Sequence, residues 1–465
     1  MDPDHGRTKR LRGITVAAVE TPSLGDRSYV VHDGEVAFVV DPQRDVDRLG
    51  PLLDDAGAQV THVLETHLHN DYLTGGLALA RRTGADYLVN ADDAVAFPRT
   101  PVHDGQTFAV GRMRITALAT PGHTFTHLAY ALATDDGEPL ALFSGGSLLY
   151  GSTGRPDLLG PEHTDVLARH QHASARSLAA LLPDAVELFP THGFGSFCSS
   201  TQSDATESTI GDEKATNPAL TQSEEQYVAE LLAGLGAYPT YYSRMARLNA
   251  AGPAEPELQP PSRADAAELR RRLEAGEWVV DLRHRTAFAA GHAPGTLNVG
   301  LDGAFATYLG WLMPWGTPVT LLGDSGASVE EAQRELVRIG IDRPAAQSTG
   351  GPENWSDDGL ASFPTATFAD LRRELNERPV PLVDVRRQEE HTIAHIEGAL
   401  NIPVHELPDR IDELTTSEVW VHCASGYRAS IAASLLDASG RRPVAINDEF
   451  DNAAAAGLPL VRRDA

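Results

Sequence analysis

The sequence predicts an α/β fold in three consecutive parts, and three observations predict it. From residue 14 to about 250, short apolar runs broken by Gly and Asp turns alternate with helical stretches around a histidine-rich loop. Residues 251–261 then carry four prolines in eleven residues with no periodicity, the composition of a linker. Beyond the linker one strand-and-helix pattern occurs twice, which implies a mostly parallel, doubly wound sheet in each copy. The expected boundaries are 11–250, a linker over 251–261, a first copy over 262–361 and a second over 362–465.

In the first part, residues 36–41 read as a central strand ending in a turn, residues 77–82 as helix and residues 60–64 as a buried strand. The run Thr66-His67-Leu68-His69-Asn70-Asp71 leaves the sheet edge just after that strand, where side chains two apart can converge on one point. Neutral imidazole suits zinc or iron, and a carboxylate such as Asp71 tunes the choice. His123 in Thr120-Pro121-Gly122-His123 and His192 in Pro190-Thr191-His192-Gly193 follow in order. His127 reads either as support for His123 or as a surface residue. His163, His170 and His172 share a helical stretch with Arg169 and Arg176 and read as a solvated face. Cys198 reads either as a thiol near the histidines or as a small buried residue.

The repeat is explicit. Asp281-Leu282-Arg283 is followed by His292, Gly295, Leu297 and Asn298; Asp384-Val385-Arg386 is followed by His395, Gly398, Leu400 and Asn401, with the Asn 17 residues after the Asp in both copies. In the second copy, residues 418–422 read as a strand and Cys423-Ala424-Ser425-Gly426-Tyr427-Arg428 as the turn into a helix. A thiol there sits over a helix N-terminus among backbone N–H groups, with Arg428 beside it, and these favour thiolate. The chemistry that needs this is sulfur transfer, with Cys423 as nucleophile, Arg428 stabilising the anionic sulfur, and Ser425, Gly426 and Tyr427 lining the substrate. A phosphatase-like loop requires one more residue between Cys and Arg than the four present. Gly323 stands where Cys423 stands, so the first copy cannot form a persulfide.

Composition narrows the partners. The net charge of −27 repels phosphate backbones and anionic membrane surfaces, so neither nucleic acid nor membrane is expected. Two cysteines in separate parts exclude a disulfide framework and fit a reducing cytoplasm. No apolar run approaches the ~18 residues of a membrane span.

The Asp-x-Arg and Gly-His-x-x-Gly-x-x-Asn patterns with the six-residue Cys423 loop resemble tandem rhodanese domains. The ordered motifs at His67, His123 and His192 resemble the metallo-β-lactamase superfamily, whose fold is an αββα sandwich. Arg155-Pro156-Asp157, Gly195-Ser196-Phe197-Cys198 and Thr216-Asn217-Pro218 narrow the likeness to persulfide dioxygenases fused to rhodanese domains. That resemblance implies one non-haem iron per chain, with zinc as the alternative. It also implies a thiol persulfide as substrate, sulfite or thiosulfate as sulfur partner, substrate binding at Arg155, and a homo-oligomer. The family's iron ligands fall on His67, His123 and a carboxylate at position 146, which is Gly146 in this sequence; Tyr72 replaces a histidine of two-metal relatives. Three readings stay open: His69 or His192 completes a three-histidine site, substrate or water supplies the third ligand, or the domain is a metal-free scaffold for the sulfurtransferase. Thioester hydrolysis of the glyoxalase II type is the other activity the superfamily implies.

Overall fold

The computed structural model describes residues 7–201 and 205–463. Two compact units divide the chain: one runs to Pro256 and takes in Val337–Gly340, and the other comprises Glu257–Leu336 with the remainder from Ile341.

In the first unit, seven strands lie side by side in sequence order from Thr8–Leu11 to Thr100–Val102, with Val36–Val40 at the centre. The first four form an antiparallel meander, and pairing turns parallel from Val36–Val40 onward. A second sheet is antiparallel over Thr107–Val110, Met113–Ala119, Leu128–Thr134 and Pro139–Gly145, and adds Glu187–Pro190 in parallel at its edge. Side-chain alternation explains why these strands read as nearly continuous apolar runs. Phe38 and Val40 join Tyr29, Ile115, Tyr130 and Phe143 in a core between the sheets. Ala37 and Val39 point the other way, onto Leu77 and Leu79 of the Gly76–Thr83 helix. Leu142 likewise packs outward on Ala175 and Leu178 of the Pro161–Leu181 helix. Helices therefore cover both outer faces, and the unit is the expected αββα sandwich.

The second unit holds two parallel sheets of one design. The first copy orders its strands Leu297–Asn298, Trp278–Asp281, Val319–Gly323, Ala346–Thr349. The second orders them Leu400–Asn401, Leu382–Asp384, Glu418–His422, Arg442–Ile446, then the short edge strand Thr365–Ala366. Even that edge has a counterpart, because Arg263 makes a parallel bridge to Gln347. Registers match as well: Asp281 lies opposite Asn298 and Leu322, and Asp384 opposite Asn401 and His422. Each copy's first helix starts on a side-chain cap, Asp265 for Ala266–Glu274 and Thr367 for Phe368–Glu377. Among the described residues, no helix is long and apolar enough to cross a membrane.

Candidate metal centre and cysteine loop

Four loops of the first unit leave strand C-termini and meet: residues 65–75 after Gln59–Leu64, 120–127 after Met113–Ala119, 146–154 after Pro139–Gly145, and 191–198 after Glu187–Pro190. Asp41 is their hub. It holds a left-handed backbone (φ 49°) and accepts bonds from the Thr66 amide, the Thr66 hydroxyl and Thr191. Those bonds hold a non-glycine residue in a conformation it rarely adopts.

Three imidazoles converge on one point. Thr66 Oγ1 gives its proton to Asp41 at 2.7 Å, so it can only accept from His67 Nδ1, 2.9 Å away. His123 Nδ1 donates to the Arg155 carbonyl at 2.8 Å. His192 Nδ1 lies between two carboxylates, 2.9 Å from Asp26 and 3.1 Å from Asp71. Each Nδ1 is thus occupied, and each Nε2 is left to face the others. The Nε2 atoms of His67 and His192 are 3.4 Å apart, and that of His123 is buried without a hydrogen-bond partner among the described residues. Ligand atoms of the three lie within 4.8 Å of one another, on rings mutually inclined by 57° to 82°. Burial, then the neighbouring imidazoles, keeps His67 well below the usual histidine value; burial and His192 push His123 down to about 3. Asp71 and Asp26 outweigh burial at His192 and raise it to about 10. The carboxylates that raise a proton's affinity for that ring raise any cation's. Aimed nitrogens with anchored partners form the donor set of a transition-metal ion, and these residues fit one.

The other sequence-nominated residues behave differently. His69 turns Nε2 to Tyr72 Oη (3.0 Å) and to carboxylate oxygens of Asp41 and Glu65 (both 3.3 Å), leaving Nδ1 buried without a hydrogen-bond partner among the described residues. Burial lowers its pKa, yet Asp41 and Glu65 prevail and lift it to about 9. Asp71 stands behind His192. Arg155 pairs in bidentate fashion with Asp157 and also donates to the Gly236 carbonyl, so its contribution here is the carbonyl that orients His123. His127 is fully buried, stacks on His67 and accepts the Gly146 N–H through Nε2 at 2.9 Å, which uses the lone pair a metal would need. The surface alternative for His127 does not hold. His172 is also buried, against Tyr227, and the solvated-face reading fails for it because the helix turns that residue onto the Glu224–Gly234 helix. Cys198 is fully buried, and burial followed by Asp71 and Asp26 raises its thiol well above the ordinary value. The sequence gives Asp26, Asp41 and Glu65 no site role; Asp41 and Glu65 each directly follow a strand, a local signal that Asp26, the first residue of its strand, lacks.

In the second unit, Cys423 ends the Glu418–His422 strand and Sγ accepts the Gly426 N–H at 3.1 Å. Gly426 has φ +101°, and a Cβ there would lie 2.5 Å from Asn447 Oδ1, so the cradle requires glycine. Ser425 presents its carbonyl to Arg285 of the first copy at 3.5 Å. Arg428 forms two hydrogen bonds to Glu390, at 2.5 and 2.8 Å, so its charge is matched by that carboxylate while it ties the loop to the Gln388–Ile393 helix. Tyr427 turns away from the thiol: its hydroxyl donates to the Gly300 carbonyl of the first copy at 2.7 Å.

Fold and sites together define a metallo-β-lactamase domain followed by two rhodanese-like domains. The chain belongs to the metallo-beta-lactamase superfamily, whose family model matches residues 26–192, and the rhodanese-like domain model matches 265–358 and 367–450. The chain is 34% identical over 184 residues to a hydroxyacylglutathione hydrolase of Acidiphilium cryptum, a match covering 38% of this chain and 68% of that protein. It is 26% identical over 215 residues to the mitochondrial persulfide dioxygenase ETHE1 of Homo sapiens, covering 46% and 76%. A metallo-beta-lactamase crystal structure from Staphylococcus aureus subsp. aureus COL superposes with a TM-score of 0.66 at 27% identity, over 73% of this chain and all of that one. Those families are enzyme families, and the superfamily binds metal ions.

Proposed function

We propose that the protein oxidises a low-molecular-weight thiol persulfide at a single metal ion in its first unit and transfers sulfane sulfur through Cys423 in its second. The observation that carries this reading is the cysteine cradle: a thiol whose sulfur accepts a loop N–H at a strand end serves sulfur transfer and has no part in thioester hydrolysis. The likeness to a persulfide dioxygenase supports the same reading.

The histidines of loops 65–75, 120–127 and 191–198 would hold the ion, which when bound supplies Lewis acidity and, as iron, access to O2. The overall reaction is R–S–SH + O2 + H2O → R–SH + SO3²⁻ + 2H⁺. Buried Asp41, Thr66 and Thr191 keep the His67 ring in one orientation, and the Arg155 carbonyl does the same for His123. In the second unit the Cys423 thiolate attacks the outer sulfur of thiosulfate; the S–S bond breaks, sulfite leaves with the electron pair, and the Gly426 N–H holds the sulfur until a thiolate acceptor removes it. Glu390 keeps Arg428 fixed so that the loop retains its shape.

The test is O2 uptake by iron-loaded full-length protein supplied with glutathione persulfide, with sulfite as product; no uptake would overturn the oxidative half. A second reading, thioester hydrolysis, draws on the likeness to hydroxyacylglutathione hydrolases. Turnover of S-lactoylglutathione by the zinc-loaded protein, without O2 uptake by the iron form, would establish that reading instead.

A further inference from the structure

The geometry points to a metal ion held in this chain by three imidazoles, His67, His123 and His192, each through Nε2, with Gly146 and Gly154 forming a slot that seats the His123 ring and keeps a side chain from position 146. This rests on the reading above only in taking the centre to be a metal site.

The slot is seen from both sides. A Cβ built on Gly146 would lie 2.4 Å from His123 Cδ2 and 2.7 Å from Cγ; one built on Gly154 would lie 2.7 Å from Nδ1 and 2.9 Å from Cγ. Both are closer than carbon atoms approach, so the imidazole occupies the space a side chain at either position would need. The two glycines are joined by a Gly154 N–H to Gly146 carbonyl bond of 2.8 Å, and the Gly146 N–H is fixed by His127. Position 146 is therefore not an empty ligand place awaiting a carboxylate.

His192 supplies the third donor. Two nitrogens bound at ~2.1 Å and a tetrahedral angle apart are separated by ~3.4 Å, and His67 and His192 Nε2 stand 3.4 Å apart. Asp26 and Asp71 hold the far side of the His192 ring, which fixes the face it presents. His69 is turned by Tyr72, Asp41 and Glu65, and its ligand atoms group with Asp71 and His192 and with Asp41 and Glu65, not with His67 and His123.

Metal binding by the full chain tests the assignment without reference to turnover. Co(II) titrations followed by visible absorption, and metal content by mass spectrometry, are expected to give one ion per wild-type chain. His192→Ala is expected to weaken Co(II) binding at least tenfold, and His69→Gln less than threefold, with circular dichroism unchanged. Gly146→Asp, which offers a carboxylate, is expected to weaken binding as well, because its side chain displaces His123. In wild-type protein loaded with Cu(II), the nitrogen splitting in the electron paramagnetic resonance spectrum is expected to count three imidazoles, a readout that needs no variant. Tighter binding in Gly146→Asp, or unchanged binding in His192→Ala, would overturn the ligand set and leave the oxidative reading intact. One ion per chain with the expected losses but no O2 uptake would overturn the oxidative reading and leave the ligand set standing.

Discussion

The two rhodanese-like copies share one frame and differ at the chemistry. In the first, Arg283 donates to Asp281 at 2.6 Å and to the Gly291 carbonyl at 2.8 Å; in the second, Arg386 donates to Asp384 at 2.6 Å and to the Ala394 carbonyl at 2.7 Å. Asn298 and Asn401 bind the matching carbonyls, and Phe288 stacks on His292 as His391 stacks on His395, both at 3.9 Å. The strand-end loop is where they part. A Cβ at Gly323 would lie 2.7 Å from Ser328 Oγ, so a serine hydroxyl fills the place that Cys423 occupies in the second copy. A buried Asp-Arg-Asn bracket thus builds the scaffold, while a few loop side chains decide whether the scaffold carries a nucleophile.

The thiol is where the two copies differ most in consequence. Cys423→Ser is expected to reduce sulfur transfer from thiosulfate to background, since no other residue of the loop is a nucleophile of that kind. Adding Gly323→Cys to that variant is expected to restore nothing, because Ser328 blocks the cradle; transfer recovered to a tenth of wild type would show that the two loops are interchangeable.

A smaller effect is expected where the first copy supports the second. Ser430 of the second copy donates to Asn298, Tyr427 donates to Gly300, and a Cβ at Gly303 would lie 2.5 Å from the Tyr427 ring. Overpacking of this kind costs about 1–3 kcal/mol. Gly303→Ala, 120 residues from the cysteine, is therefore expected to lower kcat for sulfur transfer several-fold while metal content stays constant. Wild-type kcat in that variant would make the first copy a passive neighbour.

The smallest effect concerns acid. At Asp384 burial raises the carboxyl, but Arg386, His422 and His391 outweigh it and hold the group at about 2. At Asp281 burial prevails over Arg283 and the carboxyl is raised, because Phe288 and Leu322 stand where His391 and His422 do. A carboxylate held below its unfolded value of about 4 stabilises the fold above that value and loses its contribution as pH falls toward 2. His391→Phe copies the first repeat. It is expected to speed hydrogen exchange in the Leu382–Asp384 and Glu418–His422 strands at pH 6, with the gap from wild type narrowing at pH 3. Equal protection of the two proteins at pH 6 would refute the assignment.

Much of this was legible in order along the chain. The strand at 60–64, the strand at 418–422 and the repeat are signalled by local periodicity and composition, which report burial and turns directly. The histidine motifs were legible as motifs, because residues two apart at a strand end converge through local geometry. Less legible was the role of each member. His69 and His67 are equivalent in the sequence, yet Asp41 and Glu65 take one ring by its Nε2 and Thr66 takes the other by its Nδ1. Arg428 reads as a free cation beside the thiol until Glu390, 38 residues earlier, is brought against it. His127 shows no sign in sequence that its nitrogen is spent on the Gly146 amide.

Residue type and short-range spacing alone carry the doubly wound repeat, the loss of the first copy's cysteine and the glycine at 146, while the αββα sandwich enters through the resemblance of the histidine motifs to a known superfamily. Long-range contacts settle which nitrogen of each histidine faces the site, which carboxylate neutralises Arg428, and that the His123 ring fills the space beside Gly146. Those outcomes depend on hydrogen-bond partners and van der Waals contacts between residues far apart in the chain, and such partners exist only once the loops have been brought together.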